Sequence, residues 1–141
     1  MKPKIVLVAP ADAQEIAREM APADVEVKIT SPSSPTYAGA LADAEYLVGF
    51  VDMLVNDALY RAAPKLKLIQ LLSAGYDRAD IPAARRAGVP IANNGGANSI
   101  AVSEHALMLM LAASRRLIWQ HANVVAGRWR GNDAPRVHEL F

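Results

Sequence analysis

Residues 64–116 read PKLKLIQLLSAGYDRADIPAARRAGVPIANNGGANSIAVSEHALMLMLAASRR, and their pattern decides the fold. Two apolar runs, residues 66–72 and 89–92, have the length and composition of buried strands. Between them, Asp80 can cap a short helix that Gly88 ends. A strand, a helix and a second strand in this order are the repeating unit of a parallel sheet.

The residues before this stretch repeat the same unit. Asp12 and Asn56 are the predicted caps of the first and third helices. The SPSSP run over residues 31–35 is a predicted loop, because two prolines break both helices and strand ladders. The remaining elements are predicted as strands at residues 4–9, 25–29 and 46–50 and helices at residues 13–20, 36–42 and 57–62. Five strands in this rhythm predict an α/β fold, a flavodoxin-like doubly wound parallel sheet of order 2-1-3-4-5.

A different kind of segment follows the sheet. Residues 99–126 are predicted to form one long helix, and residues 127–141 an arm without periodicity. Between residues 100 and 113 the helix has almost no polar face, so it is expected to be buried on all sides. Its apolar run is too short to cross a bilayer and is flanked by Arg115 and Arg116. A protein interface is the favoured interpretation.

Composition excludes several classes of function. Lys and Arg number 15 against 14 Asp and Glu, so no strong field attracts nucleic acid or an anionic membrane. The chain has no cysteine, and His105, His121 and His138 lack the spacing of metal ligands, so no metal site is expected. The short apolar run at the start lacks the features of a signal peptide, which predicts a cytoplasmic location.

Two loops lie where parallel sheets bind ligands, at the carboxyl ends of strands. In the first, Ser73, Ala74 and Gly75 are small enough for backbone N–H groups to approach an anion, with a positive φ at Gly75 forming a nest. An ordinary strand-to-helix turn is the alternative. In the second, residues 93–98 open the long helix, and Asn98 could either cap it or contact a ligand.

Neither loop has the chemistry of a complete active site. GxGxxG and GxxxxGK[ST] are both absent from the sequence, so no cofactor-binding residue is predicted. Glu104 and His105 lie in the apolar helix, where structural roles are expected. No catalytic and no metal-binding residue is therefore predicted in this chain.

Four motifs in order resemble the NAD-dependent D-isomer-specific 2-hydroxyacid dehydrogenases. They are KLKLI from Lys65, SAGYDRAD from Ser73, AGVPIAN from Ala87 and NSIAVSEH from Asn98. The resemblance implies a substrate-binding domain over residues 1–97. It also implies an interdomain and dimerisation helix and arm over residues 98–141, leading to a cofactor-binding domain beyond Phe141. On this interpretation the chain is truncated before that domain.

The resemblance further implies hydride transfer between NAD or NADP and a small 2-hydroxy or 2-oxo acid in the complete enzyme. The Ala74 and Gly75 amides would hold the substrate carboxylate, Ser73 would shape the turn, and Asn98 would reach the substrate. The Arg, Glu and His that move the proton in this family would belong to the cofactor domain. The chain alone is accordingly expected to be inactive, to bind no cofactor and to form a homodimer through helix 99–126.

Two other functions remain open. A receiver-type signalling domain shares the topology, and Asp52 and Ser73 stand near the positions of its phosphate acceptor and hydroxyl. Against it, its acidic pair is reduced to Asp12, and Asn93 stands where a lysine is needed. A stand-alone binding or oligomerisation module would keep the fold without the enzyme.

Overall fold

The computed structural model describes residues 2–129 and 136–139. The chain divides into two compact units, Met1–Gly96 and Ala97–Phe141. The first unit holds a sheet with its covering helices, and the second holds two helices. No helix among the described residues combines the length and apolar character needed to cross a membrane.

The sheet of the first unit has five parallel strands in the order β2-β1-β3-β4-β5. This confirms the predicted doubly wound α/β fold. Each observed strand starts and ends within two residues of its predicted limits, and β4 and β5 each begin two residues later than predicted. The strands are β1 (Lys4–Val8), β2 (Glu26–Thr30), β3 (Tyr46–Gly49), β4 (Leu68–Leu71) and β5 (Ile91–Ala92).

Four helices join these strands: α1 (Ala11–Met20), α2 (Tyr37–Ala42), α3 (Asp57–Ala62) and α4 (Ile81–Ala87). Two predicted caps are confirmed, since Asn56 Oδ1 accepts from Leu59 N at 3.0 Å and Asp80 Oδ1 from Ala83 N at 2.9 Å. Gly88 ends α4 with a φ of 68°, as predicted. A 3₁₀ turn over Asp52–Leu54 follows β3 and was not predicted.

The predicted cap of α1 is wrong. The helix begins at Ala11, with Pro10 rather than Asp12 in the N-cap position. Pro10 is extended at φ −63° and ψ 158°, and its carbonyl accepts from Ala13 N at 3.0 Å, which closes the first turn. The fixed φ of proline therefore starts the helix two residues earlier than the predicted side-chain cap at Asp12 would.

The core lies around the three central strands. Its fully buried large side chains are supplied by β1, β3, β4 and the segment after β3, and burial of each stabilises the fold by about 1.5–3 kcal/mol. They are Val6, Leu47, Val51, Val55, Ile69 and Leu71. Buried and half-buried residues alternate along β3 and β4, so one face of each strand is fully buried and the other is partly covered.

The second unit contains two helices where one was predicted, α5 (Ser99–Ser114) and α6 (Leu117–Val125). Arg116 breaks the predicted helix, because its φ of 52° and ψ of 42° are left-handed. The Arg116 N–H bonds to Ala113 O, three residues back, so the regular i→i−4 ladder stops there. The sequence pattern, which is apolar on both sides of the break, contains no sign of this backbone change.

Burial of α5 on all sides is not found within the described chain, where none of its residues is buried. Leu107 is 56% exposed and Leu111 is 48% exposed. Of the predicted arm, residues 130–135 and 140–141 lie outside the described residues. His138 N donates to Ser114 O at 2.9 Å, so the described part of the arm returns to the end of α5.

Candidate functional site

The loop after β4 begins at the carboxyl edge of the sheet. Leu72 N donates to Gly49 O at 2.9 Å, which extends the pairing of β3 and β4 by one residue. Ser73 is therefore the first residue to leave the sheet. Ser73 and Ala74 are half-buried, and Gly75 is exposed.

The three carbonyl groups of this loop are all held by hydrogen bonds. Asn94 N donates to Ser73 O at 3.0 Å, and Asn93 Nδ2 donates to Ala74 O at 2.7 Å. Ser73 Oγ donates to Gly75 O at 2.8 Å. The loop after β5 and the serine hydroxyl together orient three successive peptide groups.

The N–H groups of the same peptides are left for another acceptor. Within residues 2–129 and 136–139, neither Ala74 N nor Gly75 N donates to an acceptor of the chain. A trans peptide directs its N–H away from its C=O, so carbonyls that are tied to the loop after β5 turn these amides the other way. Two neighbouring amides of this kind can donate to the two oxygens of a carboxylate.

The expected positive φ at Gly75 is wrong. The positive φ angles of the described glycines are at Gly49, Gly88, Gly96 and Gly127. The hydrogen bonds to the three carbonyls, and not a left-handed residue, shape this loop. A Cβ at Gly75 would lie 3.4 Å from Asp77 Oδ2, which is an ordinary contact.

An ion pair that sequence analysis missed joins this loop to the turn after β3. Arg78 Nε donates to Asp52 Oδ2 at 2.8 Å, and Arg78 Nη2 donates to Asp52 Oδ1 at 3.1 Å. The Asp52 side chain is only 8% exposed. The hydrogen bonds from Arg78 hold the pKa of the Asp52 carboxyl below its ordinary value of 3.8.

This ion pair also bears on the receiver alternative. Both oxygens of Asp52 are engaged by one guanidinium, so the carboxylate is not free to accept a phosphoryl group. The sequence contained both residues, but their separation of 26 positions follows no motif spacing. The pairing of β3 with β4 brings the segments that follow these two strands close together.

Asn98 belongs to the second unit and is exposed. It stands at the N-cap position of α5 with φ −107° and ψ 9°, and its side chain makes no capping hydrogen bond. The capping role considered for it is therefore wrong. Glu104 and His105 are exposed on the same helix. Among the described residues, no group of three His, Cys, Asp or Glu side chains is placed to hold a metal ion.

The sequence was compared with protein-family models and with known proteins, and it matches one family. Residues 5–133 match the family model described as D-isomer specific 2-hydroxyacid dehydrogenase, catalytic domain. The chain is 33% identical over 125 residues to the D-3-phosphoglycerate dehydrogenase of Archaeoglobus fulgidus, covering 88% of this chain and 24% of that protein. It is 30% identical over 132 residues to the glyoxylate reductase of Thermococcus onnurineus, covering 92% and 40%.

A solved structure shares the fold. The D-lactate dehydrogenase from Aquifex aeolicus, complexed with NAD and lactic acid, aligns with a TM-score of 0.82 at 23% identity. The alignment covers 96% of this chain and 41% of that one. The chain thus spans between a quarter and about two fifths of the length of the relatives compared, 24% and 40% for the two curated proteins.

Proposed function

Because the chain belongs to the D-isomer-specific 2-hydroxyacid dehydrogenase family, we propose that it supplies the substrate-binding part of an oxidoreductase. The complete enzyme would transfer hydride between NAD or NADP and the C2 carbon of a small 2-hydroxy or 2-oxo acid. The observation that carries the proposal is that the Ala74 and Gly75 amides donate to no acceptor within the described residues, while the three carbonyls beside them accept hydrogen bonds. Residues 1–97 would form the substrate-binding domain.

The proposed role of the loop is to bind and orient the substrate carboxylate. Hydrogen bonds to a charged acceptor are stronger than those between neutral groups, so two amide donors give a carboxylate a defined position. Fixing the carboxylate also fixes the neighbouring C2 carbon, which favours reaction through orientation. Ser73 Oγ is engaged with Gly75 O, so it would shape the turn and not contact the substrate.

Asn98 is proposed as a second substrate contact. The motif NSIAVSEH, which begins at Asn98, resembles the family segment whose asparagine reaches the substrate. The absence of a capping hydrogen bond on its side chain, within the described residues, supports this role. An amide side chain can donate to a carboxylate or to the C2 oxygen.

The cofactor is proposed to bind elsewhere in the enzyme. These 141 residues contain no GxGxxG turn, so they do not fit a dinucleotide. The Arg, Glu and His that the family resemblance implies would likewise come from other sequence. We expect the 141-residue chain alone to have no affinity for NAD or NADP and no turnover of glyoxylate with NADH. Measurable NADH oxidation by the purified chain would contradict this division of roles.

Amide NMR of the 141-residue chain tests the anion site. Added glyoxylate or oxalate is expected to shift the Ala74, Gly75 and Asn98 amides, with a dissociation constant in the millimolar range, about 4 kcal/mol of binding free energy. The affinity is low because an open loop does not exclude water from the ligand.

A matched pair of ligands provides the control. Glycolate and its neutral amide, glycolamide, differ in the carboxylate, so only glycolate is expected to shift Ala74 and Gly75. Equal shifts for both ligands would show that the loop does not select a carboxylate. Shifts confined to the regions of Asn56 or Asp12 would show that the site has been assigned to the wrong loop.

Self-association through α5 and α6 is proposed as well, since residues 98–141 would form the interdomain and dimerisation segment. The exposed large apolar side chains of these two helices support the proposal, and each lies in the described part of the chain. They include Ile100, Val102, Leu107, Met108, Leu111, Leu117, Ile118 and Val125. An exposed apolar surface of this extent is typical of an interface.

A further inference from the structure

We propose that Asn93 is a positioning residue that presents the Gly75 amide to the substrate carboxylate. The inference rests on the proposed function, because it assigns the group that orients the anion-binding loop. Asn93 directly follows β5, and its Nδ2 donates to Ala74 O at 2.7 Å across 19 positions of sequence. Asn93 would not touch the substrate itself.

The positioning role of Asn93 follows from the geometry of one peptide group. Ala74 C=O and Gly75 N–H belong to the same planar trans peptide and point to opposite sides of the backbone. A hydrogen bond that holds the carbonyl toward the β5 loop therefore holds the N–H on the opposite, unpaired side. Without that bond, the peptide before a glycine can rotate more freely, because Gly75 lacks a Cβ to restrict it.

The preceding peptide is held in a different way. Its carbonyl, Ser73 O, accepts from the backbone N–H of Asn94 at 3.0 Å. This bond persists when the Asn94 side chain is replaced. Within the described residues, the Asn94 side chain makes no hydrogen bond. Asn93 thus orients the loop through its side chain, whereas Asn94 orients it through its backbone N–H. Replacing each side chain in turn therefore distinguishes the two contributions.

The test compares Asn93→Ala with Asn94→Ala in the 141-residue chain. Oxalate affinity, measured from amide NMR shifts, is expected to fall about three- to tenfold in Asn93→Ala, the range that corresponds to one hydrogen bond. Asn94→Ala is expected to change it by less than about twofold, because the Asn94 backbone donor remains. Equal affinities for the two variants would overturn the proposal.

A second pair of variants distinguishes the effect of losing the hydrogen-bond donor from the effect of adding a negative charge. Asn93→Asp and Asn94→Asp each add one negative charge close to the loop, but only Asn93→Asp removes the donor to Ala74 O. A larger loss of oxalate affinity in Asn93→Asp supports the positioning role. Equal losses in the two variants would attribute the effect to charge and overturn it.

Two readouts distinguish positioning from a purely structural role. Asn93→Ala is expected to lower the urea midpoint by no more than the loss of one exposed hydrogen bond and to keep a cooperative transition. A loss of affinity that appears only with loss of cooperative unfolding would overturn the proposal. Without ligand, the Gly75 amide resonance is expected to move in Asn93→Ala and stay in place in Asn94→Ala. If the wild-type chain fails to bind oxalate, the proposed function is contradicted. If the Gly75 amide resonance does not move in Asn93→Ala without ligand, the positioning role of Asn93 is overturned, whatever the result for oxalate.

Discussion

Gly49, the last residue of β3, stands where no side chain fits. Its φ is 155°, and a Cβ built on it would lie 2.4 Å from the carbonyl oxygen of Val8 in the neighbouring strand. The clash is with backbone in the centre of the sheet, so neither strand can move aside without breaking the ladder. Gly49 also accepts the hydrogen bond from Leu72 that starts the candidate loop.

Gly49→Ala is therefore expected to lower the free energy of unfolding by about 3 kcal/mol, because backbone strain and overpacking add. Urea denaturation measures the loss. Gly39→Ala is the matched control, since Gly39 lies in α2 and a Cβ there meets nothing within 4 Å. In that helix, alanine should stabilise by about 0.5–1 kcal/mol. Equal effects at the two glycines would show that the contact with Val8 is unimportant.

The Asp52–Arg78 pair gives a pH-dependent prediction. Arg78→Gln leaves the buried Asp52 carboxylate without its cation, so the unfolding free energy is expected to fall. Because the folded pKa of Asp52 lies below its ordinary value of 3.8, the pair stabilises the fold at pH values above that ordinary pKa, and the stabilisation is lost as the pH falls through the folded pKa. The difference between wild type and Arg78→Gln should be full above about pH 5 and shrink as the pH falls below about 4.

Urea denaturation at several pH values measures this difference. Arg86→Gln serves as the control, because the Arg86–Asp57 pair has the same chemistry with both side chains more than half exposed. An exposed pair contributes little, so this variant should lose less stability at every pH. A constant gap between wild type and Arg78→Gln from pH 3 to 7 would contradict the role given to Asp52.

At the scale of elements, the sequence predicted what depends on local pattern. The five strands, the caps at Asn56 and Asp80 and the end of α4 at Gly88 follow from apolar runs and short polar or glycine residues beside them. Leu66 shows the limit of prediction from sequence pattern. It is buried like a strand residue, but β4 begins two residues later. An apolar run reports burial and does not report strand pairing.

The candidate site was predicted in part for the same reason. Strand pattern placed Ser73, Ala74 and Gly75 at the carboxyl edge of the sheet. The contacts that orient them, from Asn93 to Ala74 and from Arg78 to Asp52, join residues 19 and 26 positions apart. Such contacts depend on how strands align in three dimensions, which no spacing rule for a single segment contains.

The break between α5 and α6 leads to a prediction about the stability of an Arg116 variant. A non-glycine residue in the left-handed region is disfavoured by about 1–2 kcal/mol, so Arg116→Gly removes strain at φ 52°. Glycine also raises the entropy of the unfolded chain, and a net stabilisation of about 0.5–1 kcal/mol is expected. Thermal or urea unfolding measures it. Arg115→Gly is the control, because Arg115 has a φ of −90° and gains nothing from glycine. Stabilisation by both variants, or by neither, would contradict the assigned break.

In the molecule as a whole, the second unit differs from the first in the burial of its apolar side chains. The sheet unit buries them in a core, whereas the described parts of α5 and α6 leave theirs exposed. Full burial of each large apolar side chain would contribute about 1.5 kcal/mol or more, so several together strongly favour association. A twofold dimer is the simplest assembly in which such helices cover one another.

Leu107→Glu with Leu111→Glu is expected to shift the 141-residue chain from dimer to monomer in sedimentation equilibrium. The two side chains lie four residues apart on α5 and place two charges on its exposed surface. The control introduces the same pair of changes on the sheet unit, at Ile16 and Met20 of α1, which are also exposed. This control should remain dimeric. A wild-type chain that is monomeric at high concentration would contradict the proposed interface.

The proposed function requires that the Ala74 and Gly75 amides hold the carboxylate of a 2-oxo acid. A crystal structure of the chain grown with glyoxylate or oxalate tests it most directly. We predict carboxylate oxygens about 2.7–3.1 Å from Ala74 N and Gly75 N, with Asn93 Nδ2 still donating to Ala74 O. A ligand bound through other groups, with both amides facing solvent, would contradict it.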